Sequence, residues 1–181
     1  LLDVTGRGDE KGLFIQTDLL DQKSVDAAVG QAIARFGRID VLANIAGGFR
    51  MGKPVHETTD EDWNFLFDLN VRTVLHTARA VVPRMLAAGR GKIVNVGAFA
   101  AQKGAADMGA YIAAKSAVIR LTESMAAELR DKGINVNCVL PTIIATLETL
   151  APMPTAYPAR WVAPPDLAGD QPGKESHDLT D

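Results

Sequence analysis

Ile39-Asp40-Val41-Leu42-Ala43-Asn44-Ile45-Ala46-Gly47-Gly48 decides the fold. Its first half is a short apolar run of strand length, Ile39 to Ile45, and reads as a buried strand. Ala46-Gly47-Gly48 then breaks it, and such small residues let a backbone come close to a ligand. Before it, Val25, Val29, Ala32, Ile33 and Phe36 recur at helical spacing behind a capping Asp21, and Gly37 stops the helix. Earlier still, Leu13-Phe14-Ile15 reads as a strand ending near Asp18. After it, Thr59 and Asp62 resemble a capping box. The helix they open carries Trp63, Leu66, Phe67, Val74, Ala78 and Val81 on one stripe. Gly91 to Val96 is a further strand. A second long helix, about Gly109 to Lys132, shows Tyr111, Ala114, Val118, Leu121, Met125 and Leu129 on its apolar face. Ile134, Val136 and Cys138 belong to another strand. Short apolar runs alternating with long helical patterns predict βαβ units and an α/β fold with a doubly wound parallel sheet.

The 181 residues suit one domain, expected over 1–168, with a polar and aperiodic tail at 169–181 expected to be disordered. With 47% hydrophobic and 23% charged residues the chain is of ordinary globular composition. A net charge of -3 gives no broad basic surface for nucleic acid. No apolar run approaches the ~20 residues of a membrane span. The single cysteine, Cys138, excludes an internal disulfide framework and fits a reducing, cytoplasmic setting. His56, His76 and His177 lack metal-ligand spacing and read as ordinary polar residues.

Tyr111 and Lys115 lie one helical turn apart and share a face. A phenol has a pKa of about 10. An adjacent ammonium and the positive ring of an oxidised nicotinamide would favour the phenolate and lower that value. Such a phenol can exchange a proton with a hydroxyl or carbonyl near neutral pH. Asn70 falls on the apolar stripe of its helix, where a buried amide must find partners.

Together these features resemble the short-chain dehydrogenase/reductase family, from about Leu1 to Gly169. That resemblance implies a Rossmann-like domain, a bound NAD or NADP, and hydride transfer to a small-molecule substrate. It assigns Asp18 and Leu19 to the adenine pocket. Asn44-Ile45-Ala46-Gly47 resembles the family's Asn-Asn-Ala-Gly motif, with Ile45 as a departure. Asn70 matches the helix asparagine that holds a proton-relay water behind the lysine. Tyr111 and Lys115 match the catalytic pair, tyrosine as general acid/base and lysine on the nicotinamide ribose. Pro141, Thr142, Ile144 and Thr146 match the segment that wraps the nicotinamide, Thr142 replacing a glycine. Asp3, at a strand end, is suited to the ribose 2′-hydroxyl and favours NAD over NADP. Phe49, Met108, Leu147, Met153 and Tyr157 are expected to line the substrate pocket. The family associates through helices matching Asp60–Leu86 and Gly109–Arg130, which implies a homodimer or homotetramer.

Two departures stand out. The family places a serine thirteen residues before the tyrosine, and here that position is Ala98. Losing such a donor commonly costs about 10²–10³ in rate. The dihydropteridine reductase branch also has Gly-Ala here, matching Gly97-Ala98, and resembles this chain at Phe49 and at Met153-Pro154, Trp161 and Pro164. A quinonoid, pterin-like substrate is the corresponding expectation. The second departure is the family's glycine-rich loop. Thr5-Gly6-Arg7-Gly8 has the wrong spacing for it and reads as a surface turn. The chain is therefore expected to lack the first strand, its phosphate loop and the last strand, being truncated at both ends. In a sheet ordered 3-2-1-4-5-6 the first strand is central, so its neighbours would lose their ladder partners. Ala98 and the missing loop leave open a non-catalytic nucleotide-binding or scaffold protein, or a truncated fragment without function.

Overall fold

The computed structural model describes residues 2–3, as backbone, and residues 12–142. Leu147, Met153, Tyr157, Trp161, Ile144, Thr146, the Thr5–Gly8 turn and the 169–181 tail lie outside them. The elements in chain order are β1 (Leu2–Asp3), β2 (Ile15–Gln16), α1 (Gln22–Phe36), β3 (Val41–Asn44), α2 (Asp60–Phe67), α3 (Thr73–Ala88), β4 (Gly91–Val96), α4 (Gly109–Leu129) and β5 (Ile134–Val139). Between α2 and α3 the helix does not stop but widens into a π-helical turn, Asp68–Arg72.

The three strand pairings among the described residues are parallel, as expected for crossover connections through helices. The described strands form two sheets, β1-β2 and β3-β4-β5. Among the described residues no strand joins them, so β3 is an edge. This corrects the reading of Ile39–Ile45 as fully buried: Val41 is 57% and Ile45 74% exposed. An apolar run does not say whether both of a strand's edges and faces are covered. The register aligns Asn44 with Asn95 and Asn95 with Cys138, a row of side chains across three strand ends.

The caps follow the sequence. Asp21 accepts the Lys23 amide at α1, and Gly37 closes that helix at φ 82°, donating to the Ile33 carbonyl. Thr59 accepts the Asp62 amide at 3.1 Å. The Asp62 carboxylate does not turn back to the cap's own N–H. It takes the Thr59 hydroxyl at 3.0 Å and Arg50 at 2.6 Å.

The main core joins Val25 and Val29 of α1, Val81 and Met85 of α3, Ile93 of β4 and Ile134 of β5. Each such fully buried side chain contributes roughly 1.5–3 kcal/mol. Phe36, expected on this face, is 55% exposed because it sits on the last turn, beyond the sheet's cover. A smaller cluster, Leu66 with Ala110 and Ala114, seats the start of α4 on α2. Alanines at those two positions let the helices approach closely, and that contact sets the height of Tyr111 and Lys115.

Candidate active site

Lys115 is only 6% exposed, and its Nζ donates to the Val96 carbonyl at 2.9 Å. The side chain thus runs from α4 to the carboxyl end of β4. Burial pushes the ammonium below the usual lysine value, opposed by a smaller influence of Cys138. Tyr111, one turn earlier, is half-buried and meets Phe49 edge-on, with ring centroids 5.0 Å apart. Burial raises the Tyr111 phenol above its ordinary value. The sequence reading expected a fall, and for the chain by itself the direction is reversed. Desolvation disfavours the phenolate, while the ammonium that was to offset it is turned to a backbone carbonyl.

Asn70 is 1% exposed and occupies the π turn. Its Oδ1 accepts the Gly48 amide at 3.1 Å, and its Nδ2 donates to the Gly48 carbonyl at 3.0 Å and the Leu66 carbonyl at 2.9 Å. The amide is therefore a clamp on the glycine loop, with both of its N–H groups engaged by backbone. Gly47 lies within the same knot. A Cβ there would stand 2.9 Å from Asn70 Oδ1 and 3.1 Å from Lys115 Nζ. The structure thus brings Gly47, Asn70 and Lys115 together from three elements. Ala46 and Gly47 are exposed on the other side, open to a ligand.

Beneath them runs a buried polar chain that sequence reasoning missed. The Thr77 hydroxyl of α3 lies 2.8 Å from Asn44 Oδ1. Asn44 Nδ2 donates to Asn95 Oδ1 at 2.8 Å, and Asn95 Nδ2 donates to the Thr122 hydroxyl of α4 at 2.9 Å. Thr122 passes its own proton to the Val118 carbonyl at 2.7 Å. The four residues fasten both long helices to the ends of β3 and β4. The available signal was Asn95 between Val94 and Val96 of β4, since a buried amide demands partners.

Beside Tyr111 lies a small recess, lined by Arg50, Lys53, Asp62, Asp107 and Met108. Arg50 lies 4.1 Å over the Phe65 ring and grips Asp62, whose carboxyl is held below its usual value by Arg50 and Thr59. Asp107 adopts φ 59°, a left-handed conformation uncommon for a residue other than glycine. Its carbonyl accepts the Gly52 amide at 2.8 Å, tying the loop after Phe49 to the entry of α4. Ala98 is 5% exposed and follows β4, offering no hydroxyl. Pro141 is half-buried and Thr142 exposed just after β5. Asp18 is exposed, its carboxylate taken by the Leu20 amide at 2.8 Å, and the Leu19 carbonyl meets His76 Nδ1 at 2.9 Å. Asp3 is described as backbone only. Among the described residues no group of potential metal ligands gathers, and no helix is long and apolar enough to cross a membrane.

The short chain dehydrogenase family model matches residues 3–151. The sorbitol dehydrogenase of Cereibacter sphaeroides is 41% identical over 131 residues, covering 72% of this chain and 51% of that protein. Among solved structures, carveol dehydrogenase from Mycobacterium avium in complex with NAD aligns at TM-score 0.76 and 30% identity, over 87% of this chain and 65% of that one. ElxO with NADP bound aligns at TM-score 0.75 and 31% identity, over 79% and 58%. The chain thus spans about half the length of the sorbitol enzyme it matches.

Proposed function

The chain belongs to the short-chain dehydrogenase family, and from that membership we propose that it serves an NAD(P)-dependent oxidoreductase, with Tyr111 as general acid/base. The observation that carries this reading is the buried Lys115 ammonium beside Gly47, at the carboxyl ends of parallel strands, one turn from Tyr111. Ligands of open α/β sheets bind at that end. An ammonium has three donors, and Val96 takes one, which leaves donors for the hydroxyls of a ribose. The residues present therefore fit the nicotinamide riboside. A bound nicotinamide supplies or accepts the hydride; the chain supplies position and a proton.

A phenol with an ordinary pKa of about 10 is protonated near neutral pH, and burial favours that neutral form further. That state suits proton donation to a substrate oxygen or nitrogen in the reductive direction. In the oxidative direction a cationic nicotinamide ring would favour the phenolate. Lys115 binds the ribose, Asn70 holds Gly48 in place, and Asp18, Leu19, Asn44, Ala46 and Gly47 complete the cofactor site. Asp3 favours NAD over NADP. Sorbitol and carveol dehydrogenases are named for alcohols, which supports a carbonyl or hydroxyl substrate. Ala98 supports a second reading, a quinonoid, pterin-like substrate whose reduction needs no serine hydroxyl. The exposed groove between α3 and α4, bordered by Leu75, Val82, Leu121 and Met125, is the contact surface of a homodimer or homotetramer. The single cysteine supports a cytoplasmic setting.

The test assays the protein with NADH and NADPH against carbonyl compounds and quinonoid dihydropterin, and with NAD against secondary alcohols. Turnover that Tyr111→Phe abolishes supports the reading. Cofactor binding without turnover of any of these would favour a non-catalytic nucleotide-binding protein.

A further inference from the structure

Two consecutive residues of α3 reach two different strand ends. Thr77 meets Asn44 at the end of β3, and His76 meets the Leu19 carbonyl just beyond β2. These strands belong to separate sheets among the described residues, so no ladder bond aligns their ends. Side chains from α3 do so instead. His76 is 7% exposed, and its Nδ1 lies 2.9 Å from the Leu19 oxygen. A carbonyl only accepts, so Nδ1 carries the proton. A second bond runs back, from Gln22 Nε2 to the His76 carbonyl at 3.1 Å.

The turn after β2 has hydrogen bonds of its own, and a turn released from α3 opens them more often. The Asp18 carboxylate accepts the Leu20 amide at 2.8 Å, and the Asp18 amide donates to Ser24 Oγ at 3.0 Å. The Asp18 carbonyl accepts the Asp21 amide at 3.2 Å. None of these bonds fixes where the turn sits relative to β3. Leu19 does, through a side chain packed against the main core and through its carbonyl, whose partner lies 57 residues away on a helix that also grips Asn44. Asp18 and Leu20 are exposed on this turn, the first keeping a carboxylate oxygen and the second an apolar surface, a pairing suited to an aminopurine.

We propose that His76 is a positioning residue for the adenosine half of the dinucleotide: it pins the Leu19 carbonyl and thereby sets the distance between the Asp18–Leu20 turn and the cleft at Asn44–Gly48. This rests on the cofactor reading given above. His76 touches no cofactor atom in this account. It acts by placing the turn, so it governs affinity for the adenosine end and leaves the nicotinamide end alone.

Two variants separate this role from simple core filling. His76→Leu keeps the apolar volume and loses the donor. His76→Asn places Nδ2 where Nδ1 stood, since both nitrogens are bonded to Cγ. Amide hydrogen exchange is read first, on the full chain without cofactor. In His76→Leu the Leu20 and Asp21 amides should exchange faster by about tenfold, the loss of one hydrogen bond, and His76→Asn should restore them. Affinity is read second, by fluorescence titration with NADH and with reduced nicotinamide mononucleotide, which lacks adenosine. His76→Leu should weaken NADH by about tenfold and leave the mononucleotide unchanged, and His76→Asn should recover NADH affinity. Unchanged exchange at Leu20 and Asp21 would overturn the tie itself. Equal weakening of both nucleotides would overturn the adenosine role. Faster exchange in a chain whose unsubstituted form binds neither nucleotide would sink the cofactor reading, and the adenosine role with it, while the tie between helix and turn stood.

Discussion

Substituting alanine for Gly47 tests the knot that joins the glycine loop, Asn70 and Lys115. Gly47 does not lie in the left-handed region, so its backbone accepts a side chain and only space is at issue. The new Cβ would stand 2.9 Å from Asn70 Oδ1 and 3.1 Å from Lys115 Nζ, against a comfortable separation of about 3.5 Å. Both atoms must retreat by about 0.5 Å. Neither is at leisure to move: Oδ1 accepts the Gly48 amide at 3.1 Å and Nζ donates to Val96 at 2.9 Å. Overpacking of this kind costs about 1–3 kcal/mol, and one weakened hydrogen bond adds about 1 kcal/mol. Gly48→Ala is the control. Its Cβ would come closer still to a neighbour, 2.5 Å from Leu69 Cδ2, but that atom ends a half-buried flexible side chain that can rotate away. The ranking should therefore run against the distances. Urea unfolding should show Gly47→Ala destabilised by about 2–3 kcal/mol and Gly48→Ala by less than half of that. Turnover should fall about 10²-fold in Gly47→Ala, because a small displacement of a positioning group has a large kinetic effect. Equal losses in the two variants, or full turnover in Gly47→Ala, would refute the argument.

Other consequences can be checked on the same protein. Asn95→Ala strands the Asn44 amide donor and removes the N–H that the Thr122 hydroxyl accepts, and should cost about 2–4 kcal/mol in urea unfolding; Thr122→Val, which strands only the Asn95 amide donor, should cost about half as much, and the reverse order would mean the chain of bonds is not continuous. Gly133→Ala meets the Gly89 carbonyl from a residue at φ 75° and should cost about 3 kcal/mol or more, read as a lower thermal midpoint; a neutral variant would contradict the placement. A raised folded-state pKa at Tyr111 means its contribution to stability is complete below the unfolded value of about 10 and is lost as pH rises through the folded value. Ultraviolet difference titration against Tyr111→Phe should accordingly place this phenol's ionisation above 10 without cofactor; ionisation at or below that value would reverse the assignment.

Much of this architecture was legible in the residues. Apolar periodicity gave the helices, Asp21 and Thr59 marked their starts, and the glycine loop meets Asn70 and Lys115 at Gly47. The failures have physical causes. Periodicity reports that a residue is apolar, not what covers it, so Phe36 and Ile45 were assigned to buried surfaces and found exposed. Helical spacing places Lys115 beside Tyr111 but does not say where a long side chain ends, and it ends on Val96. The π turn adds one residue inside a continuous apolar stripe, where counting in steps of three and four does not detect it. Thr77, Asn95 and Thr122 carry hydrogen bonds whose partners are far apart in sequence, visible only once strands and helices are assembled.

The widened turn at Asp68–Arg72 is also a register shift built into the helix. Each residue of an α-helix advances it by 100°, so deleting one residue from that turn would restore an uninterrupted helix and swing everything on one side of it by that angle. Thr77 and the inner face of α3 would stay on their core only if Asn70 rotated away from Gly48, or the converse. The helix can serve the sheet and the glycine loop together only while the surplus residue stays, and a shortened gene product should keep its helix content while losing one grip or the other.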